Sequence, residues 1–149
     1  MKIRTVLLLL AVLALSAIGG EPALAEQENE FVVVVNTFNP FVTIAEEDLA
    51  QIFLKKRATW SNEQEAFPVD QAETSEVRRH FVNRVLKKDV ESLKRYWQQQ
   101  VFTGKAVPPP ALGNDAAVIE FIRTHPYGVG YVSRGVTLGE NVRAIAVRK

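Results

Sequence analysis

Hydrophobic positions along the chain come in short blocks with two different periods. Phe31 to Val35 is a continuous, mostly β-branched run, which predicts a strand buried on both faces. Asn36 to Pro40 breaks it. Thr43 and Glu46 have capping-box spacing, and Leu49, Ile52 and Phe53 follow at helical intervals, predicting a helix from about Ile44 to Leu54. Phe67-Pro68-Val69 predicts a short strand or strand edge. Val77, Phe81, Val82, Val85 and Leu86 form the apolar face of a second helix, from about Ser75 to Lys88. Asp89 is positioned to cap a third, with Val90, Leu93, Trp97 and Val101 on one side, ended by Gly104 and Pro108-Pro109-Pro110. Gly113 or Asn114 opens a fourth, with Val118, Phe121 and Ile122 turned inward and His125-Pro126 closing it. Gly128 to Val132 and Val142 to Val147 read as two last strands parted by a glycine-containing turn. Strands alternating with helices predict an α/β domain around a small mixed or mostly parallel sheet flanked by helices.

The first 25 residues follow a different pattern. Lys2 and Arg4 precede an apolar run from Val6 to Leu15, and Ala23-Leu24-Ala25 supplies a small-x-small site. This predicts a secretory signal peptide cut after about Ala25, since the run is shorter than the roughly 20 residues of a spanning helix. Residues 26–149 then form one domain, not anchored to a membrane after cleavage. The whole chain carries 18 basic and 17 acidic residues; Lys2, Arg4 and Glu21 lie in the leader, leaving 16 of each sign. A neutral exported domain offers no electrostatic case for nucleic acid. The chain has no cysteine, which excludes disulfides, thiol catalysis, thiolate metal sites and a lipid-modified cysteine. Export without anchor or disulfide suits a bacterial periplasm.

No catalytic constellation is visible, and the chain is read as a non-enzyme without cofactor or metal. His80 and His125 are far apart and lack partners at metal-ligand spacing, so both are read as surface histidines. There is no phosphate loop and no nucleophile elbow. Glu46-Glu47-Asp48 suits the positive end of its helix. Lys55-Lys56-Arg57 is read as a solvated helix end. Trp97 keeps step with its apolar face and is expected in the core, whereas Trp60 is expected to anchor its loop.

The segment from Gln71 to Phe81 raises the one question of binding. At about 100° per residue, Arg78 projects between Val85 and Val82 in the middle of the apolar arc. A guanidinium there needs water, a carboxylate or a bound anion. Ser75 lies almost one turn earlier, beside the free N–H groups of a helix start, and together they can make an anion seat. The competing reading has Thr74 as N-cap, Ser75 as a passive first-turn residue and Arg78 paired with a local carboxylate. Glu76 already supplies negative charge to that terminus.

Several motifs in this order resemble the periplasmic phosphate-binding proteins of ABC transporters, in particular short relatives that keep one lobe. Ile52-Phe53-Leu54-Lys55-Lys56 leads to Trp60 at the spacing of their I-F-L-G-K-x-x-x-W segment. Ser75, Arg78 and Phe81 match the serine, second arginine and phenylalanine of their R-x-x-G-S-G-T-R-x-x-F ligand motif. Pro126 to Val132 is similar to their P-G-A-I-G-Y-V, and Trp97, Phe102-x-Gly104 and the following prolines are similar to the short relatives. The resemblance implies a single type II periplasmic-binding-protein-like lobe in a solute-binding role, with phosphate or a related oxyanion as nominal ligand. It implies Ser75, Arg78 and Thr74 as contacts, with Asn36 and Thr37 after the first strand as further candidates. Gln71 stands in place of the first motif arginine, and Glu76 and Val77 replace the Gly and Thr after the serine, so the implied binding is weak. A membrane permease or sensor is the implied partner. The alternative is an accessory or sensory module that uses the open face of the lobe against a membrane protein.

Overall fold

The computed structural model describes residues 30–149. The predicted signal peptide lies outside the described residues. The elements are β1 (Phe31–Asn36), β2 (Thr43–Ala45), α1 (Glu46–Phe53), β3 (Phe67–Pro68), β4 (Asp70–Gln71), α2 (Glu76–Arg84), α3 (Val90–Phe102), β5 (Ala111–Leu112), α4 (Asp115–Thr124), β6 (Gly128–Ser133) and β7 (Val142–Arg148). The main sheet has the order β2-β7-β1-β6-β3, and β4 pairs with β5 in a separate two-stranded ladder.

The sheet is mixed. β1 is its middle strand and runs antiparallel to both neighbours, with Val33 opposite Tyr131 on β6 and opposite Ile145 on β7. The outer pairings, β2 with β7 and β3 with β6, are parallel. The last two strands therefore flank β1 on opposite sides and run parallel to each other, so the segment joining them crosses over β1 and is not a hairpin turn.

The continuous apolar run of β1 is explained by burial on both faces. Val33 and Val35 pack into one core with Leu49, Ile52, Phe53, Phe81, Leu93 and Tyr131. Val34 packs into the other with Val69, Val118, Ile122 and Val132, beneath α4. In the first core Phe81 stacks on Tyr131, centroids 4.0 Å apart and planes 8° from parallel, and Phe53 and Phe31 close around the pair. Trp60 anchors its loop as expected: it is buried, stacks on Phe41, and donates from Nε1 to the Tyr127 carbonyl at 3.1 Å.

Three local expectations are corrected. Thr43 does not cap a helix. Thr43–Ala45 pairs with Ala146–Arg148 as strand β2, so that backbone is committed to the sheet, and α1 starts at Glu46 with no side-chain cap. The second helix ends at Arg84; Val85 and Leu86 are still buried, and Lys87 turns the chain with φ 53° before pairing with Glu46 across 2.5 Å. On α3 only Leu93 is fully buried; Trp97 is half-buried and Val101 is 53% exposed. The apolar face of that helix is real: Leu93 is in the core and Trp97 packs against it, but beyond Trp97 the helix overhangs a groove.

Gly130 on β6 sets how closely α4 approaches the sheet. A Cβ at this position would lie 2.7 Å from Val118 Cγ1 and 3.0 Å from Val69 Cγ2, both in fully buried side chains. Gly130→Ala is expected to cost about 1–3 kcal/mol through overpacking, read as a lower midpoint in urea unfolding with an unchanged slope.

Candidate functional site

The segment from Asp70 to Arg78 holds the densest group of buried polar side chains, and the local folding shows why. β4 places Asp70 and Gln71 beside β5, the chain turns at Ala72, and Ser75 N donates to the Ala72 carbonyl at 2.9 Å. Ser75, not Thr74, is the N-cap of α2: its Oγ accepts from Arg78 N at 3.3 Å. The same hydroxyl donates to Gln71 Oε1 at 2.9 Å, so its proton is already engaged. Thr74 is exposed.

Gln71 is 2% exposed and fully bonded. Its Nε2 donates to the Tyr131 carbonyl at 3.0 Å and to Asp115 Oδ1 at 2.8 Å. Asp115, in the first turn of α4, also accepts from Ser133 N at 3.1 Å. A neutral amide and a carboxylate of the chain itself thus bridge the two helix starts. Two positions sequence reasoning did not single out, Asp70 and Asp115, belong to this group. A carboxylate at the start of an element resembles any other helix-end acid, so its sequence signal is faint.

Arg78 is 7% exposed. Its Nε donates to Asp70 Oδ2 at 3.0 Å, the local carboxylate that one sequence reading required. Asp70 Oδ1 accepts from the Tyr131 hydroxyl and from Gln71 N. Burial, with the Asp70 charge beside it, pushes the Tyr131 phenol far above its ordinary value, so it stays a neutral donor. Arg78 Nη1 is buried without a hydrogen-bond partner.

The candidate residues do not share one cavity. Thr74 and Ser75, with Glu76, Gly113, Asn114 and Asp115, line a cleft of about 350 Å³ where α2 and α4 begin. Both starts are side-chain capped, Asn114 Oδ1 accepting from Ala117 N at 2.9 Å. Hydrogen bonding to the helix backbone begins at Arg79 N in α2 and at Val118 N in α4, so the first-turn N–H groups of both helices border this cleft. Arg78 opens instead onto a groove of about 550 Å³ beside α3, and Gln71 separates the two spaces. Asn36 and Thr37 lie at the far end of β1, roughly 16 Å along the strand from the residue opposite Ser133. Asn36 there donates to the Ile122 and Arg123 carbonyls at 2.9 and 3.0 Å and accepts from Phe38 N, closing the C-terminal end of α4. The structure does not bring these two residues to Ser75.

His80 is half-buried and paired with Glu30, and His125 stacks on Phe121 with centroids 3.7 Å apart. Among the described residues there is no cluster of three or more His, Asp or Glu able to hold a metal ion, and no helix long and apolar enough to cross a membrane.

The chain matches no protein-family model and no curated protein sequence. Solved structures do resemble it. An ABC-type phosphate transport receptor from Vibrio cholerae superposes with a TM-score of 0.58 at 17% identity, covering 81% of this chain and 47% of that one. PstS from Borrelia burgdorferi gives 0.62 at 14% identity, covering 81% and 48%. A substrate-binding protein assigned to phosphate ABC transport in Clostridium perfringens, solved with bound phosphate, gives 0.62 at 15% identity, covering 80% and 45%. The chain spans slightly less than half the length of each. As its motifs imply, it has the fold of the substrate-binding proteins of phosphate ABC transporters, over about half of their extent.

Proposed function

We propose that the protein is a solute-binding-type lobe that holds phosphate or a related oxyanion weakly in the cleft where α2 and α4 begin, in the periplasm and in the service of a membrane permease. The observation that carries this reading is the meeting of two capped helix starts in one open cleft, on a chain with the fold of phosphate-binding proteins. First-turn N–H groups and two helix dipoles favour negative charge there. Thr74 and Ser75 contact the ion, and Arg78, on the other side of Gln71, adds positive charge at longer range.

Weakness has three named causes. The Ser75 proton must leave Gln71 to reach an anion. Glu76 and Asp115 place carboxylates at the same helix starts and repel one. The exposed rim leaves the ion hydrated, and each contact is worth less in water than in a closed site.

Titration with inorganic phosphate, followed by amide NMR, is expected to shift the N–H signals of Glu76, Val77, Asp115 and Ala116 with a Kd of about 1 mM or weaker. No perturbation of these amides at tens of millimolar phosphate, at about physiological ionic strength, would remove the reading. Asp115→Asn keeps an acceptor for Gln71 and Ser133 but removes the competing charge, and is expected to tighten phosphate about fivefold, corresponding to about 1 kcal/mol. Arg78→Ala strands Asp70 in a largely buried position and is expected to cost about 3 kcal/mol of stability in chemical denaturation, with a smaller effect on phosphate affinity than Asp115→Asn.

A further inference from the structure

The groove beside α3 is separate from the oxyanion cleft. Its walls are Val90, Trp97, Val101 and Phe102 from α3 and Pro108-Pro109 from the segment that leads into β5. This is the apolar face of α3 that the sequence assigns to the core. Leu93 is buried in the core and the half-buried Trp97 packs against it, but beyond them the face is open: Val101 is 53% and Phe102 92% exposed. The three prolines hold the opposite wall extended and cannot collapse onto the helix. A space of about 550 Å³ results, within the usual range for small-molecule sites.

The floor is polar. Arg78 and Asp70 lie there, and Lys94 on α3 and the exposed Glu73 stand among the lining residues. Asp70 occupies only the Nε edge of the guanidinium. Nη1 meets neither an acceptor nor bulk water, although guanidinium N–H groups are among the strongest donors in a protein. An apolar channel over a buried guanidinium with an unused N–H fits one kind of molecule. Its head must accept hydrogen bonds and carry negative charge, and its body must be apolar.

We propose that this groove binds a small amphiphilic anion, a carboxylate on an aliphatic or aromatic body. The head reaches Arg78 through a small turn of the guanidinium, Lys94 adds charge, and the body lies between Trp97 and Pro109. A small head entering end-on suits a donor sunk in the floor better than a broad protein surface does. The proposal stands independently of phosphate binding in the cleft, because Arg78 and Trp97 do not line the cleft and Thr74 and Ser75 do not line the groove.

The test is titration of the full chain with octanoate, 1-octanol and inorganic phosphate, read by tryptophan fluorescence and by NMR of the two indole N–H groups. Trp60 is buried and bonded to the Tyr127 carbonyl, so the response belongs to Trp97 and is lost in Trp97→Phe. Octanoate is expected to bind about tenfold more tightly than octanol, the margin of a charge-assisted bond to Arg78. Arg78→Lys keeps the charge and a partner for Asp70 but loses the planar fork, and is expected to remove most of that preference. Val101→Glu, at a position that is 53% exposed and tolerant of a polar side chain, is expected to weaken octanoate about tenfold by repulsion. Equal binding of octanoate and octanol, or no Trp97 response to either, would overturn the proposal. So would concentration-dependent self-association through this face without an octanoate response. Octanoate shifts confined to Glu76, Val77 and Ala116 would leave the oxyanion cleft standing and the groove proposal overturned. A Trp97 response to octanoate with no effect of phosphate on those amides would do the reverse.

Discussion

The ion pair between Arg78 and Asp70, with the Tyr131 hydroxyl on the same carboxylate, holds the elements around the candidate site together. It joins β4, α2 and β6 at one point. Gln71 extends the connection to α4 through Asp115 and back to Ser75. Each member satisfies a group that burial would otherwise strand, so the network favours one arrangement of these four elements over near alternatives. The aromatic stack of Phe81 on Tyr131 lies directly against it, and the polar and apolar parts of the core fix each other's positions.

The same network explains why the chain departs from its resemblance. A neutral Gln71 stands where the motif has an arginine, and its donors are spent on the chain's own carboxylate and carbonyl. Asp115 occupies a position between two helix starts that would otherwise attract an external anion. Charge that could have been reserved for a solute is balanced internally. That favours stability in a lobe that superposes on slightly less than half of each matched protein.

Much of the fold was legible in the sequence because burial imposes periodicity. The unbroken run of β1 announced a two-sided strand, the Val77–Leu86 face announced α2, and Asp89 and Asn114 announced two helix starts. What was not legible depended on tertiary pairing. Thr43 has the local chemistry of a cap, yet pairing with β7 outweighs it. Val101 has the spacing of a core residue, but spacing tells which side of a helix is apolar and not what lies opposite that side. Helical projection singled out Arg78 as needing a partner; only the fold could name Asp70, because β4 is two residues long and has no pattern of its own.

The placement of β1 has a consequence for how the chain reaches this structure. The middle strand of the sheet is the first element of the described chain, and its two neighbours are the last two. Neither core can close until nearly the whole sequence is available, since β1 has no other strand to pair with. During synthesis the helical segments can fluctuate in and out of order, but the sheet waits for residues 128–148. Sheet formation is then a late event governed by contacts between distant parts of the chain, which is the slow kind. Until it happens, a strongly β-prone apolar segment, Phe31–Val35, stays unpaired and open to the wrong partner.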